Sequence, residues 1–162
     1  MTLAEYNTCV DQHADGLYRF ILKQVRNADD ARDVVQEAFA RVWERVGEVP
    51  FEKAKTYLFT TGYRVMIDGL RKAKRRRDYA DQTGDVSMRV MPPPTGLKSV
   101  LEEALQKLPE MQRTVVLLRD YEGYAYDQIG EITGLTESQV KVYIFRARVS
   151  LRNYIGKLEN VL

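Results

Sequence analysis

Residues 126–148 read YDQIGEITGLTESQVKVYIFRAR, and the fold is decided by how this stretch is read. Tyr126 to Thr133 is a short helical run with Ile129 and Ile132 on its inner side. Gly134 follows, the residue type that takes the left-handed conformation of a tight turn. Leu135 is placed to plug the core. Thr136 and Gln139, three residues apart, form a capping box that satisfies backbone amides at the next helix start. Gly130, lacking a side chain, allows two helices to cross closely. Turn, cap and spacing together describe a helix-turn-helix.

The second helix of that motif sorts its residues by side. Val140, Ile144, Ala147 and Leu151 share one face and belong in the core. Ser138, Lys141, Val142, Phe145 and Arg148 project from the other, with Arg146 at its margin and Gln139 near its start. Such a face suits a DNA major groove, where cations contact guanine edges or phosphates and Phe or Val packs on thymine methyls. A three-helix packing motif with a solvated basic face would show the same residues. Agreement of turn chemistry, cap and basic outer surface favours DNA.

Upstream the period is helical almost throughout. Leu17, Phe20, Ile21 and Val25 mark one buried helix face. Asn27 to Asp30 break the run and open a helix carrying Val34, Val35, Ala38, Phe39, Val42, Trp43 and Val46, ended by Gly47 and Pro50. Opposite that stripe lie Asp33, Gln36, Glu37, Arg41 and Glu44, a set that also fits an ordinary solvent face with an Asp33–Glu37–Arg41 ladder. A long helix is expected from about Ala54 to about Arg77, with Leu58, Gly62, Val65, Met66 and Gly69 turned inward. Its outer side offers Tyr57, Thr60, Thr61, Arg64, Asp68 and Arg71, with Phe59 and Tyr63 on the flank and Lys74 and Arg75 beyond. Aromatics beside cations form a platform for unstacked bases and phosphates. The competing reading places Tyr57 and Phe59 in the core and makes the arginines a solubilising tail.

From Asp78 to Gly96 the pattern collapses, and Gly84, Ser87 and Pro92 to Pro94 disfavour helix. This stretch reads as a linker between residues 1–77 and 97–162. Helical period resumes at Leu97, Val100, Leu101, Ala104, Leu105 and Leu108, stops at Pro109, and returns at Val115 to Leu118 before Gly123. No alternation of period two occurs, so the expected class is all-α: two small helical domains joined by a flexible linker.

Composition agrees with a globular chain: 162 residues are 44% hydrophobic and 30% charged. The net charge of +2 hides segregation, because acids dominate from Asp29 to Glu48 while Arg71, Lys72 and Lys74 to Arg77 form a basic run. A second basic set, Lys141, Arg146, Arg148, Arg152 and Lys157, lies near the end. That segregation suits one surface for phosphates and another for a protein partner. Cys9 is the single cysteine, which excludes an intrachain disulfide and a thiolate metal cluster. No apolar run approaches the ~20 residues that span a bilayer, so a cytoplasmic protein without membrane insertion is expected.

On these residues the chain resembles an extracytoplasmic-function (ECF) sigma factor of the sigma-70 family. Asp33-Val-Val-Gln-Glu-Ala-Phe-Ala-Arg-Val-Trp43 resembles the acidic helix, region 2.2, that docks on the polymerase clamp. Tyr57-Leu-Phe-Thr-Thr-Gly-Tyr-Arg-Val-Met-Ile-Asp-Gly-Leu-Arg71 resembles regions 2.3 and 2.4, which melt and read the downstream promoter element. Leu108-Pro109 with Arg113, then Tyr126 to Arg152, resemble region 4, which reads the upstream element. The chain departs from the common pattern at Gly62, Tyr63 and Arg64, where alanine, arginine and asparagine are frequent, and at Gly130, where alanine is.

The resemblance implies RNA polymerase core as partner, through its clamp and flap regions, with Asp33, Gln36, Glu37 and Arg41 at the clamp contact. It implies duplex promoter DNA on Ser138, Gln139, Lys141, Val142, Phe145, Arg146 and Arg148. It implies single-stranded DNA on Tyr57, Phe59, Thr60, Tyr63, Arg64, Arg71, Lys74 and Arg75. An anti-sigma protein is the further partner it implies, with no cofactor and no catalysis by the chain itself. Two other classes bear on the same residues. A helix-turn-helix repressor or activator accounts for the C-terminal half but leaves the acidic helix and basic run unconnected. A metal-dependent nucleic-acid enzyme lacks a paired-carboxylate motif or phosphate-cradling glycine loop, and His13 is the single histidine.

Overall fold

Helix α1 (Leu3–Val25) begins where Thr2 and Glu5 satisfy each other: the Thr2 hydroxyl accepts from the Glu5 amide at 3.1 Å, and Glu5 Oε1 accepts from the Thr2 amide at 2.9 Å. It ends at Arg26 in the left-handed region. Asn27 then caps α2 (Ala28–Glu44), accepting from the Asp30 amide at 3.0 Å, and Asp29 and Asp30 sit in the first turn, where the helix dipole favours them. Two single 3₁₀ turns, Val46–Glu48 and Phe51–Lys53, lead into α3 (Ala54–Thr83). The computed structural model describes residues 1–83 and 96–159, all-helical with no strand among them.

These three helices close a core of Leu17, Phe20, Ile21, Ala31, Ala38, Val42, Leu58 and Met66. Gly62 is part of the reason they fit: a Cβ there would lie 2.8 Å from Leu17 Cδ1. Trp43 departs from its expected place. It is 46% exposed, its ring tilted against Tyr6 at 4.9 Å, because it falls at the rim of the stripe whose centre is Ala38 and Val42. Gly69 is likewise exposed. Helix α3 also runs past Arg77, where the apolar period stops. Ala80 and Gln82 favour helix, and once the earlier turns are anchored, extension past Arg77 costs little per residue, with no buried face required. The linker expected over 78–96 therefore starts inside α3, and residues 84–95 lie outside the described residues.

The second bundle is α4 (Gly96–Lys107), α5 (Glu110–Val116), a π-helical turn (Leu117–Tyr121), α6 (Tyr126–Thr133) and α7 (Glu137–Glu159). Pro109 separates α4 from α5 and stands at the cap position, where its missing N–H costs nothing. Leu105, Leu108, Val115, Val116, Leu117, Leu118, Ile129, Ile132, Val140, Ile144 and Ala147 form its buried set.

The two bundles are docked on each other, which the sequence reading did not foresee. Tyr124, 1% exposed, inserts its ring edge-on against Phe59 at 5.1 Å, and Phe59 in turn meets Phe20 at 5.7 Å. The Tyr124 hydroxyl donates to the Lys55 carbonyl at 3.4 Å, and the Lys55 ammonium lies 4.6 Å from its ring. Burial pushes the Tyr124 phenol far above its ordinary pKa, so it stays a donor. Around this wedge the contacts are polar. Buried Gln24 accepts from the Thr114 hydroxyl at 3.2 Å and from Arg113 Nε at 3.4 Å. Gln106 donates to the Lys23 carbonyl, and Arg19 pairs with the nearly buried Glu122 at 3.4 Å. Truncation of Tyr124 to alanine is expected to cost about 3 kcal/mol, as loss of a buried aromatic does. Calorimetry should then resolve separate transitions for the two bundles where the parent chain shows one.

Candidate nucleic-acid interface

The helix-turn-helix has the local chemistry its sequence demands. Gly134 adopts φ +80° and its amide donates to the Gly130 carbonyl at 2.8 Å, closing α6. The capping box is formed: the Thr136 amide donates to Gln139 Oε1 at 2.9 Å, and the Gln139 amide donates to the Thr136 hydroxyl at 3.2 Å. Gly130 admits close approach, though of the turn and not of a crossing helix, since a Cβ there would stand 2.8 Å from the Leu135 carbonyl oxygen. Leu135 itself is half-buried against the core. On α7, Val140, Ile144 and Ala147 are buried and Leu151 packs beside them.

The opposite face is open. Ser138, Gln139, Lys141, Val142, Phe145, Arg146 and Arg148 are all exposed, and Phe145 reaches 69%. An apolar ring so placed has no packing role. Two of these side chains are already engaged: Gln139 Oε1 serves the cap, and Arg148 is held by Asp120 through Nε at 3.1 Å and Nη2 at 2.5 Å. That hydrogen bond, ahead of simple charge attraction, raises the Arg148 pKa further. Lys141 is paired more loosely, with Glu137 at 3.4 Å.

Three members of this surface were missed in the sequence: Arg119, Asp120 and Tyr126. The Tyr126 ring has the Arg119 guanidinium 4.6 Å from its centre and the Lys141 ammonium at 5.6 Å. Arg119 Nη1 also donates to the Tyr124 carbonyl at 2.9 Å, tying the surface to the wedge between bundles. Arg119 and Asp120 come from the π-helical turn, whose wider backbone buries Leu117 and Leu118 while turning the next two residues outward. No motif in the sequence announces such a turn.

On α3 the expected outer set divides. Arg64, Arg71, Lys74 and Arg75 are exposed and carry no ion pair among the described residues. Tyr57 and Thr60 are half-buried, and the Thr60 hydroxyl donates back to the Thr56 carbonyl at 2.7 Å. Phe59 and Tyr63 correct the expectation of a stacking platform: they are 1% and 8% exposed. They lie four residues apart on the side that also bears Met66, and docking of the second bundle widens the buried arc to include them. The exposed aromatics near this helix are instead Phe51, in the turn before it, and Tyr79, at 69%, beyond its basic run. Neither was singled out from the sequence.

Asp33, Gln36, Glu37 and Arg41 are exposed along α2, with Arg41 donating to Glu37 at 2.6 Å. This face is not separate from the basic run. A groove of 760 Å³ between α2 and α3 has Asp30 and Asp33 on one wall, Lys72, Arg76 and Arg77 on the other, and Val34, Met66 and Leu70 among its apolar lining. Cys9 is fully buried, which pushes its thiol pKa up. No helix among the described residues is long and apolar enough to cross a membrane.

A capped helix-turn-helix with a cationic and apolar outer face, docked on a second helical bundle, has the architecture of a DNA-binding protein. Residues 9–76 match sigma-70 region 2, and residues 98–151 match sigma-70 region 4. RNA polymerase sigma factor SigV of Bacillus subtilis is 33% identical over 152 residues, 93% of this chain and 90% of that protein. ECF sigma factor SigL of Mycobacterium tuberculosis is 30% identical over 91% of this chain and 87% of its own length. Among solved structures, the sigma factor RpoE of Bartonella quintana, crystallised with the anti-sigma factor NepR, superposes with a TM-score of 0.80 at 22% identity, covering 95% of this chain and 98% of that one. CnrH, solved with the cytosolic domain of CnrY, gives 0.71 at 22% identity, covering 94% and 88%. The chain belongs to the sigma-70 family, in its extracytoplasmic-function class of RNA polymerase sigma factors.

The turn geometry makes its own expected outcomes. Gly134→Ala forces a side chain into the left-handed region and should cost about 1 kcal/mol, and Thr136→Ala should cost about as much through the lost cap. Both are read as lower melting temperatures. A Thr136→Ser variant that keeps the hydroxyl should recover most of the loss.

Proposed function

We propose that this sigma factor directs promoter-specific initiation by holding an upstream element as duplex on α7 and a separated downstream strand on α3, while α2 docks on the polymerase clamp. The observation that carries the reading is the outer face of α7. There Phe145 and Val142 stand exposed among Ser138, Lys141, Arg146 and Arg148, an apolar and cationic mixture that suits base edges, thymine methyls and phosphates. On α3 the contact is chiefly electrostatic, through Arg64, Arg71, Lys74 and Arg75, with Tyr57 and Thr60 at its edge. Phosphate contacts of this kind give affinity without sequence information, so base reading falls mainly to α7.

In this reading residues 1–77 form the polymerase-binding and strand-binding domain, residues 97–162 form the upstream-element domain, and residues 78–96 join them. Asp33, Gln36, Glu37 and Arg41 meet the clamp, and the second domain meets the flap. The chain contributes binding and specificity where polymerase works, in the cytoplasm, and polymerase performs the nucleotidyl transfer. An anti-sigma partner is part of the proposal, because the fold relative RpoE of Bartonella quintana was solved with the anti-sigma factor NepR.

Core polymerase freed of sigma and reconstituted with this chain should start transcripts at a small set of sites sharing an upstream sequence. Lys141→Ala combined with Phe145→Ala should reduce initiation there by about tenfold, the order of one or two lost base contacts. Its melting temperature should stay unchanged, since both side chains are exposed. Failure of the chain to associate with core polymerase would overturn the reading.

A further inference from the structure

The Arg148–Asp120 pair differs from the other ion pairs on the DNA-facing side. Both carboxylate oxygens are used, one by Nε and one by Nη2, so the planar guanidinium is fixed in orientation. Lys141, by contrast, touches Glu137 through one contact at 3.4 Å on a flexible stem and can swing to a phosphate by giving up little. Arg148 can follow a phosphate only by breaking two bonds at once. Its Nη1 has no hydrogen-bond partner among the described residues, and Asp120 cancels much of its charge at close range. Asp120 itself is carried by the π-helical turn, anchored from below by Leu117 and Leu118.

We propose that Asp120 is a positioning residue that sets how selectively the chain reads its upstream element, by restraining Arg148 on the recognition helix. This rests on α7 being the DNA-facing helix. A loose arginine can reach a phosphate on any duplex, whereas at the correct element the fixed guanidinium is already placed for its contact. Freeing it therefore strengthens wrong sites more than the right one. A clamped and partly neutralised arginine adds little to wrong sites, leaving discrimination to Ser138, Val142, Phe145 and Arg146 around it. The pair contributes little to stability, because both side chains are more than a third exposed. Its effect is on where the charge can go.

The test uses holoenzyme reconstituted from core polymerase and the full chain, with two duplex probes across a range of salt. One carries an upstream element obtained by transcript-start mapping, and the other carries that element scrambled. Asp120→Ala should bind the scrambled duplex several-fold more tightly, with a salt slope steeper by about 0.9, one added phosphate contact. With affinity for the correct element nearly unchanged, discrimination between the probes should fall by the same several-fold factor. Asp120→Asn, which keeps the shape and loses the charge, should move in the same direction. In an Arg148→Ala background, Asp120→Ala should change nothing further. Unchanged discrimination in Asp120→Ala, an equal loss of affinity for both probes, or the same shift with Arg148 absent would overturn the proposal. Parent holoenzyme that fails to distinguish the probes would overturn the reading of α7 as well, so the two failures are separable.

Discussion

The arrangement of the whole chain depends on one aromatic side chain crossing from one bundle to the other. Tyr124 leaves the second bundle just after the π-helical turn and ends in a slot made by Phe59 and the Lys55 carbonyl. Neither bundle has a large core by itself, and small helical domains gain stability slowly with size. Joining Phe20, Phe59 and Tyr124 into one aromatic row gives both a shared interior. The surrounding contacts are of another kind. Gln24 satisfies Thr114 and Arg113 with its carbonyl oxygen, while its Nε2 is buried with no partner among the described residues. An interface with one apolar wedge and an incompletely satisfied polar rim resembles a transient contact between domains more than a continuous core.

That wedge also determines which side chains of α3 remain exposed. With Phe59 and Tyr63 taken into the docked interior, the outward face of α3 is left with cations and hydroxyls, and the Thr60 and Thr61 hydroxyls are turned back onto their own helix. In this arrangement α3 attracts a phosphate backbone and offers little surface for stacking bases. The outer surface of α7 keeps both its cations and its exposed apolar side chains, because none of the described residues packs over it from outside. The two cationic faces are thus unequal when the bundles are docked, and the inequality comes from packing, not from composition.

Legibility in the sequence follows the range of the interactions. The turn at Gly134, the box at Thr136 and Gln139, and the buried row Val140, Ile144 and Ala147 depend on neighbours within one or two turns, so spacing alone reveals them. Phe59 could not be placed the same way. Its position on α3 is a flank, and whether a flank is wet or dry depends on Tyr124, 65 residues away in the chain numbering. Trp43 is the reverse case, an apolar residue at the stripe's rim that no later element covers. The charge segregation was visible, but not that Asp33 and Arg76 line one groove, because two helices must first be laid side by side. The π-helical turn left no trace in the pattern, and with it Arg119 and Asp120 were overlooked.

Covalent geometry also limits how the two bundles can be arranged. The segment between Thr83 and Gly96 can span at most roughly 45 Å whatever its conformation, which bounds how far apart the two bundles can stand. On the proposed function, each face alone would hold DNA through a handful of exposed side chains, and on α7 two of them, Lys141 and Arg148, are already paired with carboxylates. Tethering converts the second contact into an intramolecular one, at an effective concentration on the order of millimolar. Weak faces are then an advantage: neither holds stray duplex for long, and firm binding requires both elements at the separation that a scaffold imposes. On the proposal above, the carboxylate that clamps Arg148 serves the same end, since a freed arginine finds a phosphate on most duplex it meets.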